Sequence, residues 1–320
     1  MQADVTGCLD ENDMLQRTIR VGTRGSALAL LQARIFTDSV SRHYPDLHLE
    51  TVVLNTSGDV DKQTPLAILG GQGIFAKELE AALLSGTIDV AVHSAKDLTS
   101  ELPDGLTIGA ILNRSDPRDV LLTTHGKSLR DLLAGARVGT SSRRRVMQLR
   151  HARPDLRAVE LRGNIDTRMR KLEQGEVDAA IMAAAGIERM GWAERIGEYL
   201  SIDTFVPSPG QGALGVECRA GDDEILELLA RVNEEDVAAE VETERAFLRA
   251  VGGGCQSPIG ALARVDRGSV TLRAMLADEE MTAACYQNST SSLERATTTA
   301  AELATQLRSA LEMRLARPAS

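Results

Sequence analysis

Through the first two-thirds of this 320-residue chain, short apolar runs of strand character alternate with segments of helical periodicity. That alternation marks parallel α/β units and excludes a sandwich or a helical bundle. Doubly wound sheets are the expected result. Residues 18–23 read as a strand, Ser26 as an N-cap, and 27–41 as a helix with Leu28, Leu31 and Ile35 on one face. A strand over 48–54 leads into 55–73, where periodicity fades and Gly58, Gly70, Gly71 and Gly73 give the composition of a long, lid-like loop. A helix over 74–85 and strands over 88–93 and 106–112 follow. The polar crossover Asn113-Arg-Ser-Asp-Pro-Arg-Asp119 then marks a change of domain.

From about Val120 the order repeats: strand 137–140, helix 142–149, strand 156–161, helix 165–174, strand 177–182 and a helical 186–190. Pro207-Ser-Pro-Gly-Gln-Gly212 breaks the run, and 214–218 is a strand placed to return to the first sheet. A smaller unit begins with a helix over 234–250, continues with two strand-like runs, and ends in a helix for which Ser292 is the candidate cap. Leu303, Leu307 and Leu311 recur on one face of that helix, as core packing requires. The expected division is 16–112 with 213–230, then 118–206, then 234–320. A single core stops growing near ~250–300 residues, so more than one domain is the starting expectation.

With 46 Asp+Glu against 36 Lys+Arg, the net charge of -10 argues against nucleic acid or an anionic membrane as the main partner. Any anion site must be a local cluster of cations. No apolar run approaches the ~20 residues of a membrane span, and residues 1–16 lack the segments of a signal peptide, so a cytoplasmic location is expected. Cys8, Cys218, Cys255 and Cys285 are widely spaced, and the five histidines form no cluster with them. Neither structural zinc nor a disulfide framework is expected, and no metal site is assigned.

The chemistry concentrates at strand ends, where open α/β sheets place their ligand crevices. Arg24 follows the first strand. Arg143, Arg144 and Arg145 follow Gly139-Thr-Ser-Ser142, Arg162 opens Arg-Gly-Asn, Arg168 lies on the next helix, and Arg189 follows the last strand of the second unit. Backbone N–H groups and hydroxyls at the Thr140-Ser141-Ser142 helix start favour an anion. Successive helical residues point about 100° apart, so three adjacent arginines cannot share one site; Arg144 and Arg145 are assigned inward. Several guanidinium forks around one crevice suit a ligand with several carboxylates or phosphates. A lone arginine is as readily a solvated charge; the set is not. A Walker A motif is absent, and Gly70-Gly-Gln-Gly73 lacks dinucleotide-binding spacing.

Two further features stand apart. Ala91-Val-His-Ser-Ala-Lys-Asp97 is a buried-type strand ending in hydroxyl, ammonium and carboxylate. Asp97 there would stabilise a cationic intermediate or move a proton, and Lys96 would bind an anion; the plainer reading is that Asp97 caps a turn. His93 is read as structural. Gly252-Gly-Gly-Cys-Gln-Ser-Pro258 places Cys255 on a glycine-rich loop able to reach into a crevice, whereas an isolated cysteine is ordinarily a small buried hydrophobe.

Taken together, Val21-Gly-Thr-Arg-Gly-Ser26, Ala91 to Asp97, Gly139-Thr-Ser-Ser-Arg-Arg-Arg145, Leu161-Arg-Gly-Asn164, Gly210-Gln-Gly-Ala213 and Gly253-Gly-Cys-Gln-Ser-Pro-Ile-Gly260 closely resemble the motifs of the porphobilinogen deaminase family, in the family's order. The resemblance runs from about Arg20 to Gly260, and the first 15 or so residues look like an extension. It implies two doubly wound domains like those of periplasmic binding proteins around a cleft, plus a small α+β domain. It also implies that Cys255 carries a dipyrromethane cofactor through a thioether, and that Asp97 is the catalytic carboxylate. Ser94, Lys96, Thr140, Ser141, Ser142, Arg144 and Arg145 match positions that hold the cofactor's acetate and propionate groups. Arg24, Ser26, Arg162, Arg168 and Arg189 match positions that hold the substrate's.

The implied reaction condenses four porphobilinogen molecules head to tail and releases a linear tetrapyrrole by hydrolysis. A monomer is expected, with hand-over of product to uroporphyrinogen-III synthase. Many family members carry lysine where this chain has Ile68 and Gln72, so the resemblance does not assign lid contacts to carboxylates; Phe75 matches a family aromatic but equally suits core packing. Two other classes remain open from sequence. A carboxylate- or sulfate-binding module explains the arginines but neither Asp97 nor the Cys255 loop. A cysteine-dependent hydrolase needs a histidine to activate Cys255, and no local motif supplies one.

Overall fold

A computed structural model describes residues 17–54, 76–252 and 257–316. In chain order the first elements are β1 (Thr18–Arg24), α1 (Ala27–His43), β2 (His48–Leu54), α2 (Lys77–Leu84), β3 (Val90–Ser94) and β4 (Leu106–Leu112). Next come β5 (Asp119–Thr123), β6 (Arg137–Gly139), α3 (Arg143–Ala152), β7 (Arg157–Val159), α4 (Ile165–Glu173), β8 (Ala179–Ala183), α5 (Ala184–Arg189) and β9 (Ile196–Tyr199). The chain then forms β10 (Leu214–Arg219), α6 (Asp223–Val232), α7 (Glu235–Val251), β11 (Ile259–Asp266), β12 (Ser269–Ala277), β13 (Ala284–Ser292) and α8 (Ala296–Leu315). The expected lid, 55–73, together with Ile68, Gln72, Phe75 and Cys255, lies outside the described residues.

The fold is α/β, with two five-stranded sheets and a small α+β unit. The first sheet has the order β2-β1-β3-β10-β4 and the second β7-β6-β8-β5-β9. Each contains one antiparallel strand in the same place. β10 runs against β3 and β4, and β5 runs against β8 and β9. These are the strands that enter a sheet directly from a crossover, which is why the pattern of parallel units is not perfect. Residues 214–218 do return to the first sheet as read from sequence. Alternation sorts the side chains: Val90 and Val92 of β3 and Leu214, Val216 and Cys218 of β10 share a core with α1 and α6. Ala91 packs on Leu79 and Leu83 of α2 on the opposite face.

Helix ends follow the local chemistry. Ser26 caps α1 by accepting from Ala29 N at 3.3 Å, and Ser142 caps α3 by accepting from Arg145 N at 3.4 Å. Both caps stand where strands β1 and β6 run out, so each helix start faces the crevice between the sheets.

The third unit departs from expectation. It has three antiparallel strands, β11-β12-β13, rather than two, covered on one face by α7 and α8. β13 reads Ala-Cys-Tyr-Gln-Asn-Ser-Thr-Ser-Ser and is an edge strand with mostly solvent-facing side chains, so it shows little apolar alternation. Ser292 precedes the 3-10 turn Leu293–Arg295, and Arg295 stands at the N-cap position of α8. Strands β5 and β9 and the helix α6 were likewise not assigned from sequence.

Two crossovers, 113–118 and 200–213, join the first two sheets. Both are fastened to the third unit by one buried network. Arg114 donates to Glu240 at 2.8 Å and Glu244 at 2.7 Å on α7, and Glu244 also accepts from Gly210 N at 2.6 Å and Ala263 N at 2.8 Å. These three donors, one of them a guanidinium, offset much of the cost of burying the Glu244 carboxylate.

Candidate active site

Beyond the strand ends lies a cleft of about 280 Å³ between the first two sheets. From the first sheet it receives Arg24 and Ser26 beyond β1, and Ser94, Lys96 and Asp97 beyond β3. From the second it receives Arg145, Arg168, Arg189 and the backbone around Gly163 and Asn164. The lining includes five cations (Arg24, Lys96, Arg145, Arg168, Arg189) and two carboxylates (Asp97, Asp166). In a chain of net charge -10, this is a strongly local inversion of sign. A crevice with low-dielectric walls concentrates that field on an anionic ligand.

Lys96 and Asp97 sit in a single 3-10 turn, Ala95–Asp97, because β3 ends against Ala213, whose carbonyl accepts from Ala95 N at 3.0 Å. The turn lifts both side chains toward the cleft. Burial pushes the Lys96 ammonium down to about 8; Asp97 and Asp119 pull it upward, and Arg145 and Arg144 push it further down. Burial also lowers Arg168 to about 10, helped by Arg145 and opposed by Asp97. Arg189 is lowered to about 10 for the same first reason, with Glu188 opposing. These groups pay a desolvation cost that an incoming carboxylate would relieve.

The three adjacent arginines divide as helical geometry requires. Arg143 turns outward to Glu279 at 2.6 Å, while Arg144 and Arg145 turn inward and are buried. Their partner is a residue that sequence reasoning missed. Asp119, at the head of β5 and fully buried, takes Arg144 Nη1 at 2.7 Å on one oxygen and Arg145 Nη2 at 2.7 Å on the other. Burial alone would raise the Asp119 carboxyl, but the two guanidiniums outweigh it and hold it well below the usual carboxylate range. The Arg144 fork is thus committed to Asp119 and to Val206 O, which accepts from Nη1 at 2.6 Å. Arg144 faces a second, smaller pocket, shared with Lys96, Ser142, Ser208, Arg245 and Ser257.

Other expected residues are placed as follows. Thr140 is buried and its Oγ1 accepts from Ser142 N at 3.2 Å, while Ser141 Oγ donates to Leu161 O at 2.8 Å; both hydroxyls shape the turn before α3. Arg162 does not line the cleft; its Nε donates to Glu160 at 2.5 Å. Arg168 lines it while donating from Nε to Gly163 O at 2.7 Å. Arg189 reaches both crossovers, its Nη2 donating to Asn113 O and Gly212 O at 2.7 Å each. His93 faces away from the cleft, with Nε2 2.8 Å from the buried Glu217 of β10. Gln32 of α1 was also missed: it lines the cleft and donates from Nε2 to Ser94 Oγ at 2.8 Å. Its position, six residues past the Ser26 cap on the helix's buried face, was the available signal. For Asp119 the signal was a carboxylate heading the apolar strand Val-Leu-Leu, which demands a cationic partner.

Fold and site define a two-lobed α/β protein whose cleft sets five cations against the two carboxylates Asp97 and Asp166, suited to gripping a polycarboxylate between its lobes. The chain belongs to the porphobilinogen deaminase family. The family model described as porphobilinogen deaminase, dipyromethane cofactor binding domain, matches residues 19–227, and that for the porphobilinogen deaminase C-terminal domain matches 238–312. The porphobilinogen deaminase of Syntrophus aciditrophicus is 47% identical over 90% of this chain and 94% of its own length. That of Syntrophobacter fumaroxidans is 51% identical over 82% and 85%. Among solved structures, the periplasmic VFT2 domain of Bordetella pertussis BvgS is similar at 15% identity, covering 73% of this chain and 94% of that one with a TM-score of 0.42. The methionine binding protein MetQ is similar at 17% identity, covering 69% and 92% with a TM-score of 0.41. Among the described residues, no helix is long and apolar enough to cross a membrane.

Proposed function

We propose that this chain is a porphobilinogen deaminase. It condenses four porphobilinogen molecules head to tail on a dipyrromethane held by Cys255 and releases hydroxymethylbilane by hydrolysis. The observation that carries the reading is the placement of Asp97 among five cations in the cleft between the two sheets. The donor set fits the group: pyrroles with acetate and propionate arms need many cations at their rims and an acceptor for ring N–H at their centre. When bound, the dipyrromethane supplies the pyrrole carbon to which the first substrate is joined. Ser257, two residues past Cys255, lines the small pocket that also contains Lys96, Ser142 and Arg144, and these residues with Ser94, Thr140, Ser141 and Arg145 would hold the cofactor's carboxylates, while Lys96, which lines the cleft as well, would also meet those of the substrate.

The protein's own groups act on the substrate. Arg24, Ser26, Arg168 and Arg189 bind its carboxylates and orient the aminomethyl carbon, with Arg162, the residue before the cleft-lining Gly163, assigned to the same set. As the carbon–nitrogen bond breaks and ammonia leaves, positive charge spreads over the pyrrole, and Asp97 opposes it where the barrier is highest. The new carbon–carbon bond forms at that carbon, and the displaced ring proton is taken by Asp97 or water. The three units are read as 16–112 with 213–230, 118–206 and 234–320, acting as a cytoplasmic monomer that passes its product to uroporphyrinogen-III synthase.

Intact mass of the denatured protein, expressed in a host that makes porphobilinogen, tests the reading. A covalent excess equal to a dipyrromethane, mapped to the Cys255 peptide, is the expected result. Failure to load even with added porphobilinogen would transfer the assignment to a non-catalytic polycarboxylate binder.

A further inference from the structure

We propose that Gln211 is a positioning residue that gathers Lys96 of the first lobe and Arg145 of the second on one oxygen, setting the cation spacing that a ligand carboxylate meets; this rests on the functional reading above. Gln211 lies in the second crossover and is fully buried. Its Oε1 accepts from Lys96 Nζ at 3.3 Å and from Arg145 Nη2 at 3.5 Å. Its Nε2 donates to Pro117 O at 2.7 Å and Asp119 Oδ1 at 2.8 Å. The carboxamide can face only one way. Turned over, it would set N–H groups against two cations and a carbonyl against a carboxylate.

Four separate segments therefore meet on one side chain: the turn after β3, the first crossover, the head of β5 and the start of α3. Two cations brought close in a buried site repel strongly. A neutral amide oxygen between them tempers that repulsion without cancelling the charge, so both remain available to a carboxylate. A carboxylate at this position would neutralise them and would also face Asp119. The charged groups that act most on Lys96 are Asp97 on its own turn, Arg144 and Arg145 on α3, and Asp119 on β5, and Arg245 of α7 lines the small pocket beside it. Gln211 is not part of the cleft wall, so it acts through Lys96 and Arg145.

A double-mutant cycle decides whether it does. Gln211→Met, alone and combined with Lys96→Met, is assayed for kcat and KM with porphobilinogen. The expected result is a KM raised about tenfold by Gln211→Met in the parent, with a smaller change in kcat, and a KM effect under about twofold once Lys96 is already Met. Equal effects in both backgrounds, or none in either, would overturn the proposal, because a packing role is blind to Lys96. Should Gln211→Met fail to fold, Gln211→Glu supplies the second test. Its added charge should hold Lys96 protonated and move the alkaline rise of KM to higher pH; an unmoved rise also overturns the proposal. If the parent carries no dipyrromethane, the functional reading fails, and the same cycle read by calorimetry on pyromellitate still decides the role of Gln211.

Discussion

Asp119 Oδ2 lies 2.7 Å from Arg144 Nη1, with both side chains sealed from solvent. The carboxylate's other oxygen serves Arg145, so one internal anion balances two buried guanidiniums and leaves the pair with net positive charge. That surplus is what a ligand carboxylate encounters. Replacing Asp119 with Asn would leave two like charges buried and uncompensated, a loss of about 3–5 kcal/mol by the usual cost of breaking a buried pair. Urea unfolding at neutral pH measures it. The folded carboxyl lies below its unfolded value of about 4, so its contribution is complete above that value and is lost as pH falls through the folded one. The Asn variant should therefore lose less stability than the parent on acidification; an equal loss would mean Asp119 does not titrate against these arginines.

Asp97→Asn keeps the size and hydrogen-bonding capacity of the side chain and removes its charge. Cofactor loading should survive, since the carboxylate-binding cations are untouched. Turnover should fall by about a hundredfold or more, the scale of removing one preorganised electrostatic partner of a transition state. Intact mass and kcat on the same preparation separate the two effects, and near-parental kcat would remove Asp97 from the catalytic role.

Lys96 should impose an alkaline limit on ligand affinity. Burial places its ammonium at about 8 in the ligand-free protein, so it is charged below that pH and loses its proton as pH rises through it. Affinity for a carboxylate-bearing substrate is thus full on the acid side and declines above about pH 8, by up to tenfold per pH unit. In Lys96→Arg the guanidinium stays charged beyond that range, and the decline should vanish. KM against pH for the two proteins makes the comparison; a decline that persists unchanged in the arginine variant assigns it to another group.

What could be read from sequence depended on whether a residue's partner was local. Arg24, Arg145, Arg168 and Arg189 were recognisable because strand ends are visible in periodicity and open sheets put their crevices there. All four line the cleft. Arg162 met the same criterion; it donates to Glu160, two residues upstream, and its neighbour Gly163 lines the cleft. The partners of Asp119 and Gln211 were illegible for the opposite reason. Both are buried polar groups whose partners come from segments up to 115 residues away, and periodicity reports burial without naming what satisfies it. The first sheet was legible down to the return of β10, because its buried strands are distinct apolar runs, whereas β5 and β9 of the second sheet were not assigned. β13 was not legible either, because an edge strand facing solvent carries little apolar alternation.

Gly212 offers a test of the crossover itself. Its φ of +95° is a conformation that side-chain-bearing residues rarely adopt, and a Cβ there would stand 2.5 Å from Ser115 O in the other crossover. The two crossovers are already in contact at this point through Ser115 N, which donates to Gly212 O at 3.1 Å, and Arg189 Nη2 donates to the same carbonyl at 2.7 Å. Gly212→Ala should therefore cost about 1–3 kcal/mol from backbone strain alone, with more from the steric conflict. The conflict can be relieved only by moving one crossover away from the other, which would loosen the Arg189 contact and change the separation of the lobes. Lower stability in urea accompanied by faster hydrogen exchange in both 113–118 and 207–213 is the expected outcome. Faster exchange confined to 207–213 would mean that the two crossovers move independently, and that Arg189 does not couple them.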